Sequence, residues 1–165
     1  MLSPSCVHKE FRIAQRFSGI DPEIKPYVED FINLSKNKLN DLSYSKTSIG
    51  IEPQAGNRIG VCYRFVDGTS EIAIDGDFFN SESQLRKQAL VFHELVHCIC
   101  NRSHDHNGID YEPIIEPNKS NRELLYFEDG CSRSIMSPEL TSTQCLEKRW
   151  SYYIEEMFSR CSPYE

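Results

Sequence analysis

An α+β fold is what this sequence of 165 residues predicts: a twisted, mixed and mostly parallel sheet of four to five strands, a backing helix, a central helix and a C-terminal helix. Three observations carry the prediction. Strand-like runs cluster between residues 47 and 74, an apolar stripe steps by four and three from Leu85 to Ile99, and a second such stripe runs from Leu146 to Phe158. The chain is long enough to bury about two-thirds of its unfolded surface, so one domain over 1–165 is expected, its upper part about 1–100 and its lower part about 101–165.

Taken in order, Phe11 to Phe17 reads as a first short strand. Asp21-Pro22-Glu23 opens a helix, with an Asp cap, Pro at the first position and an acid in the first turn. Ile24, Val28, Phe31 and Leu39 give it a buried stripe, and Pro26 is tolerable because it falls within the first turn or so. Three strands follow at Thr47 to Glu52, Ile59 to Val66 and Glu71 to Ile74, the last two joined by the hairpin signal Asp67-Gly68. Asp75-Gly76-Asp77 reads as an ordinary turn rather than a calcium loop.

The central helix should start near Ser81, where Ser81 and Gln84 can form a capping box. Leu85, Ala89, Phe92, Val96 and Ile99 are its core face. From Asn101 to Arg133 the composition turns to Asn, Asp, Glu, Gly and Pro, a long loop region of the kind that usually serves function. A helix from about Thr141 to Arg160 closes the chain, with Leu146, Trp150, Tyr153, Met157 and Phe158 on its apolar face.

A net charge of -7, with Lys and Arg scattered, provides no basic stripe for phosphates, so nucleic acid is not an expected partner. No run reaches the length of a membrane-spanning helix, and Met1 to Cys6 lacks the charged start and apolar core of an export signal. A monomer is expected. Seven cysteines, Cys6, Cys62, Cys98, Cys100, Cys131, Cys145 and Cys161, make an odd count, so at least one thiol is free or intermolecular. A disulfide framework would suit a secreted chain and the missing leader a reducing compartment, so the localisation stays open between the two.

The chemistry lies in Val91-Phe-His-Glu-Leu-Val-His97. This H-E-x-x-H pattern places His93 and His97 one turn apart on one helix face, able to hold one metal ion, with Glu94 beside them. The two histidines sit about 100° around from Phe92 and Val96, flanking the core face on a side that can open into a cleft. A hydrolytic zinc site needs three protein ligands and an open position. A third histidine follows in Arg102-Ser-His104-Asp-His106. Asn101 is the expected helix terminator, because Asn takes the left-handed conformation more readily than other non-glycine residues.

These residues resemble the metzincin clan of zinc peptidases, whose pattern is H-E-x-x-H-x-x-G-x-x-H. Here one residue is added, and Asn101 takes the place of the glycine, three residues before His104. A second match lies far along the chain: Ser134-Ile-Met-Ser-Pro138 is similar to the clan's Met-turn, and Asp105 after His104 matches the H-D pair of adamalysins, with Ser134 as its expected partner. The resemblance implies a metzincin-like fold and a zinc metalloendopeptidase acting on protein or peptide substrates. His93, His97 and His104 would be the zinc ligands, Glu94 the general base and Met136 an apolar floor beneath the histidines. It also implies that substrate backbone lies along an edge strand, expected near Glu71 to Ile74. Some clan members carry a tyrosine two residues after that methionine; Pro138 stands there in this chain.

Other readings stay open at this point. His106 stands nine residues after His97 and competes with His104 as third ligand. A gluzincin-type peptidase would take a downstream ligand such as Glu123 or Glu128, and a catalytically silent metzincin-like module would bind a partner through the same cleft. A closed structural zinc site of Cys98, Cys100, His104 and His106 is disfavoured, because helix positions two apart point to nearly opposite sides. Cys6 as a thiolate plug on the metal is disfavoured because its flanking residues do not match the switch motif of latent matrixins.

Overall fold

A computed structural model describes residues 5–10, 15–36, 45–104 and 125–161; of residues 5–10 the strand and its pairing alone are described. In chain order the elements are β1 (Ser5–Glu10), α1 (Lys25–Ser35), β2 (Thr47–Ile51), β3 (Arg58–Arg64), β4 (Ser70–Ile74), α2 (Gly76–Ser81), α3 (Gln84–Ile99) and α4 (Thr143–Ser159). The architecture is mixed α and β, and no helix among the described residues is long and apolar enough to cross a membrane.

The sheet is mixed. β2 pairs with β4 in parallel, β4 with β3 antiparallel, and β1 adds to β3 in parallel, so the order is β1-β3-β4-β2. Gly68 at φ +80° makes the reversal between β3 and β4 at the expected Asp67-Gly68 turn, a backbone conformation that costs glycine nothing sterically. β4 is therefore paired on both sides, and the expectation of Glu71 to Ile74 as an edge strand is wrong. Sequence pattern marks strands but not their spatial order, which is decided by pairing between distant segments.

The strand expected at Phe11 to Phe17 does not extend over its last three residues. Residues 15–18 are irregular, and the strand preceding α1 is Ser5–Glu10; residues 11–14 lie outside the described ones. The amides of Arg16 and Phe17 donate to the buried Glu71 carboxylate at 2.6 and 2.9 Å. Those donors are spent on a side chain and cannot join a ladder.

Side chains alternate across the sheet. On one face Ile49, Cys62, Ile72 and Ile74 join the main core with Ile24 just before α1, Val28 and Phe31 of α1, Phe92 and Val96 of α3, and Tyr153 and Met157 of α4. On the other face Val61, Tyr63 and Ala73 are covered by Phe17 and Phe65. Gly50 lets Phe17 lie flat there, since a Cβ at that position would come within 2.4 Å of its ring.

Helix starts differ from expectation by a few residues. Asp21 makes a turn, its side chain accepting from the Glu23 amide, and α1 begins at Lys25 with Pro26 in its first turn. Leu39, the last residue of the expected stripe, lies outside the described residues. Asp75 caps the short α2 by accepting from the Phe78 amide, and Ser83 caps α3, two residues later than the expected Ser81. The intervening Ser81 instead donates back to the Asp77 and Phe78 carbonyls and closes α2.

Three disulfides join Cys62 to Cys98, Cys100 to Cys161 and Cys131 to Cys145. The first two tie the end of α3 to β3 and to the segment after α4. This removes Cys98 and Cys100 as ligands of a structural zinc, because a disulfide sulfur has no thiolate to offer.

Candidate metal centre

β3 runs beneath α3 and meets it at every second residue. A Cβ on Gly60 would stand 2.5 Å from Glu94 Oε1, Cys62 is bonded to Cys98, and the Arg64 guanidinium donates to the His97 and Cys98 carbonyls at 2.9 and 2.7 Å. Same-face strand residues repeat every 6.6–6.8 Å or so, close to one helical turn, so the strand supports successive turns of the helix. A cation at the C-terminal carbonyls also complements the helix dipole. Four residues of this support, Gly60, Cys62, Arg64 and Cys98, hold the segment that carries His93, Glu94 and His97.

α3 ends at Ile99, and Asn101 then takes φ 52°, the left-handed turn expected of it. The chain doubles back and brings His104 against the helix. The three Nε2 atoms converge: His93 to His97 is 2.9 Å, and His104 lies 3.0 Å from each. All three rings are buried, as is Glu94.

Their tautomers explain the convergence. His93 Nδ1 lies 2.8 Å from the Ile135 carbonyl and His97 Nδ1 lies 2.6 Å from the Arg102 carbonyl. A carbonyl can only accept, so each Nδ1 carries the proton and each Nε2 keeps its lone pair. Two lone pairs 2.9 Å apart repel unless a cation lies between them. Nitrogen ligands about 2.0–2.1 Å from one tetrahedral ion stand roughly 3.3 Å apart, within a few tenths of an ångström of the spacing here. The donor set therefore fits a metal ion. Among the described residues these three histidines are the group close enough to hold one.

The segment Ser134 to Pro138 also reaches the histidines, through the Ile135 carbonyl that accepts from His93. Ile135 and Met136 are fully buried, and the Met136 amide donates to Ser134 Oγ at 3.0 Å. Ser134 Oγ also accepts from Arg102 at 2.9 Å and donates to Glu156 at 3.2 Å, while Arg102 and Glu156 form a buried ion pair. The partner expected for Ser134, Asp105, lies outside the described residues, as do His106 and Glu123. Glu128 is exposed in a turn and is not part of the histidine group. Asp75 and Asp77 belong to the start of α2, where Asp75 caps the helix and accepts from the Gln54 amide at 3.0 Å.

Sequence reasoning missed Gly60, Arg64, Arg102 and Glu156. Only Gly60 left a signal, since a glycine inside a strand marks a close approach. The other three are charged residues whose partners lie far along the chain. Comparison of the chain with family models, with curated proteins and with solved structures gave no match, so the chemistry of the site rests on its own geometry.

Proposed function

We propose that the protein is a zinc-dependent metalloendopeptidase of metzincin-like construction, hydrolysing peptide bonds in protein or peptide substrates. The observation that carries this reading is the convergence of three imidazole Nε2 atoms, two of them on α3, where the buried Glu94 follows His93. Three neutral nitrogen ligands favour zinc over the harder cations, which prefer oxygen. Zinc held there would polarise a scissile carbonyl and acidify a water molecule.

The chain's own part is then proton handling and orientation. Glu94 is the residue after His93 and does not belong to the histidine group, which leaves its carboxylate for proton transfer. As general base it takes a proton from the attacking water, and as general acid it returns that proton to the leaving amine. The Nδ1–H bonds to Ile135 and Arg102 hold the two helix imidazoles in the binding tautomer throughout. Met136, buried in the turn that presents the Ile135 carbonyl, supplies apolar packing and no ligand.

Metal analysis and one substitution test this. Protein purified without added metal should hold one zinc per chain, and Glu94→Gln should keep that zinc and the fold while peptide hydrolysis falls by about 10²–10⁴-fold. Zinc-free protein would refute the metal. Zinc-loaded protein that cleaves no member of a peptide library would favour the silent binding module.

A further inference from the structure

Arg102 and Glu156 lie 54 residues apart and meet as an ion pair whose two side chains are each 8% exposed. Replacing such a pair by apolar residues is often neutral or stabilising, so burial alone is a weak reason for it to exist. Its position suggests another. The Arg102 carbonyl accepts the Nδ1–H of His97, while its guanidinium reaches the other way, to Glu156, to Ser134 Oγ and to the Glu156 and Met157 carbonyls at the end of α4. Ser134 Oγ is held by both members of the pair and in turn receives the Met136 amide. Between Ser134 and Met136 stands Ile135, whose carbonyl accepts the Nδ1–H of His93. His104 follows two residues after Arg102, past the left-handed turn at Asn101.

We propose that the buried Arg102–Glu156 pair is the positioning device of the metal centre: it sets from α4 the two backbone carbonyls that fix the tautomers of His93 and His97, and the short loop that delivers His104. This rests on the reading of the three histidines as metal ligands. Arg102 and Glu156 are positioning residues, since neither touches the metal or the reacting atoms. The guanidinium suits the task because its planar fork reaches a carboxylate, a hydroxyl and backbone carbonyls together, which a lysine ammonium cannot do with the same fixed geometry.

The test uses the full chain and zinc itself. Zinc affinity is measured by competition with a chromophoric chelator for the parent, Glu156→Gln, Arg102→Lys and the apolar double variant Arg102→Met/Glu156→Leu. Thermal midpoints are taken with and without zinc, and the visible spectrum is recorded after cobalt substitution. The control is Asp129→Asn, because Asp129 pairs with Lys148 and Arg149 on α4 but touches no part of this network. The expected result is a 10–100-fold loss of zinc affinity in the pair variants. With it come a smaller zinc-induced rise in thermal midpoint and a shifted cobalt spectrum, even in the double variant that keeps its fold. The control should lose equal stability with and without zinc. A purely structural pair would behave as the control does, with unchanged affinity and spectrum, and that result overturns the proposal while leaving the metal site standing. A parent that binds no zinc overturns both, and is recognised as such because the failure appears before any substitution. Should the arginine variants fail to fold, the isosteric Glu156→Gln decides the matter alone.

Discussion

Gly60→Ala tests the proposed role of Glu94 without touching it. A methyl at Gly60 would stand 2.5 Å from Glu94 Oε1 and 2.9 Å from its Cδ and Cγ. Carbon needs about 3.5 Å, so the overlap approaches roughly 1 Å. The clash includes Cγ, so rotating the carboxylate alone cannot relieve it; the whole side chain must shift, and Glu94 is fully buried. Overpacking of this kind costs about 1–3 kcal/mol of stability. Displacing a catalytic group by about 1 Å can cost 10²-fold in rate. The expected outcome is therefore a folded, zinc-loaded protein with kcat lowered about 100-fold and KM little changed. The assay is peptide hydrolysis alongside zinc content and thermal midpoint. A second arm makes it sharper: in a Glu94→Ala background the added methyl meets no carboxylate, so the stability penalty of Gly60→Ala should largely vanish. Full activity in Gly60→Ala, or an undiminished stability penalty in the Glu94→Ala background, would refute the argument that β3 sets the position of this carboxylate.

The remaining predictions concern the site and its frame. His104→Ala should lose zinc and activity together, whereas His106→Ala should keep the metal and at least about a tenth of the activity, a barrier change of no more than about 1.4 kcal/mol; metal analysis of both variants checks this. Met136→Leu, nearly volume-conserving in a fully buried position, should cost less than about 1.5 kcal/mol and leave zinc bound, measured by denaturant unfolding. Six of the seven cysteines should resist alkylation until the protein is reduced, and removing the Cys131–Cys145 bridge, of sequence separation 14, should cost about 3 kcal/mol. Three bridges are characteristic of chains that work in oxidising compartments, which favours the secreted alternative. Burial pushes the Tyr153 phenol up to about 12. Folding favours its neutral form, so that stability is complete below about pH 10 and is lost as pH rises through 12; alkaline unfolding compared with Tyr153→Phe reads the difference.

Much was legible in the sequence because it is local. Helical spacing placed α3 and α4, alternation and a turn signal placed β3 and β4, and four-residue spacing put His93 and His97 on one face with Glu94 next to them. Asn101 as the reversing residue was readable from its tolerance of positive φ. Pairing was not local, and it was decided by the tertiary structure. The order β1-β3-β4-β2 buries the strand expected at the edge, since hydrogen-bond partners are chosen among segments far apart in the chain. Six cysteines found their partners only when β3 and α4 were packed against α3 and the segment from 131, because connectivity follows spatial proximity and not spacing. The same holds for the outer frame of the metal centre. Histidine spacing points to His93 and His97 as candidate ligands and leaves the third open between His104 and His106, but the carbonyls of Arg102 and Ile135 that orient the two helix imidazoles, and the glycine that makes room for Glu94, acquire meaning only when distant segments pack together.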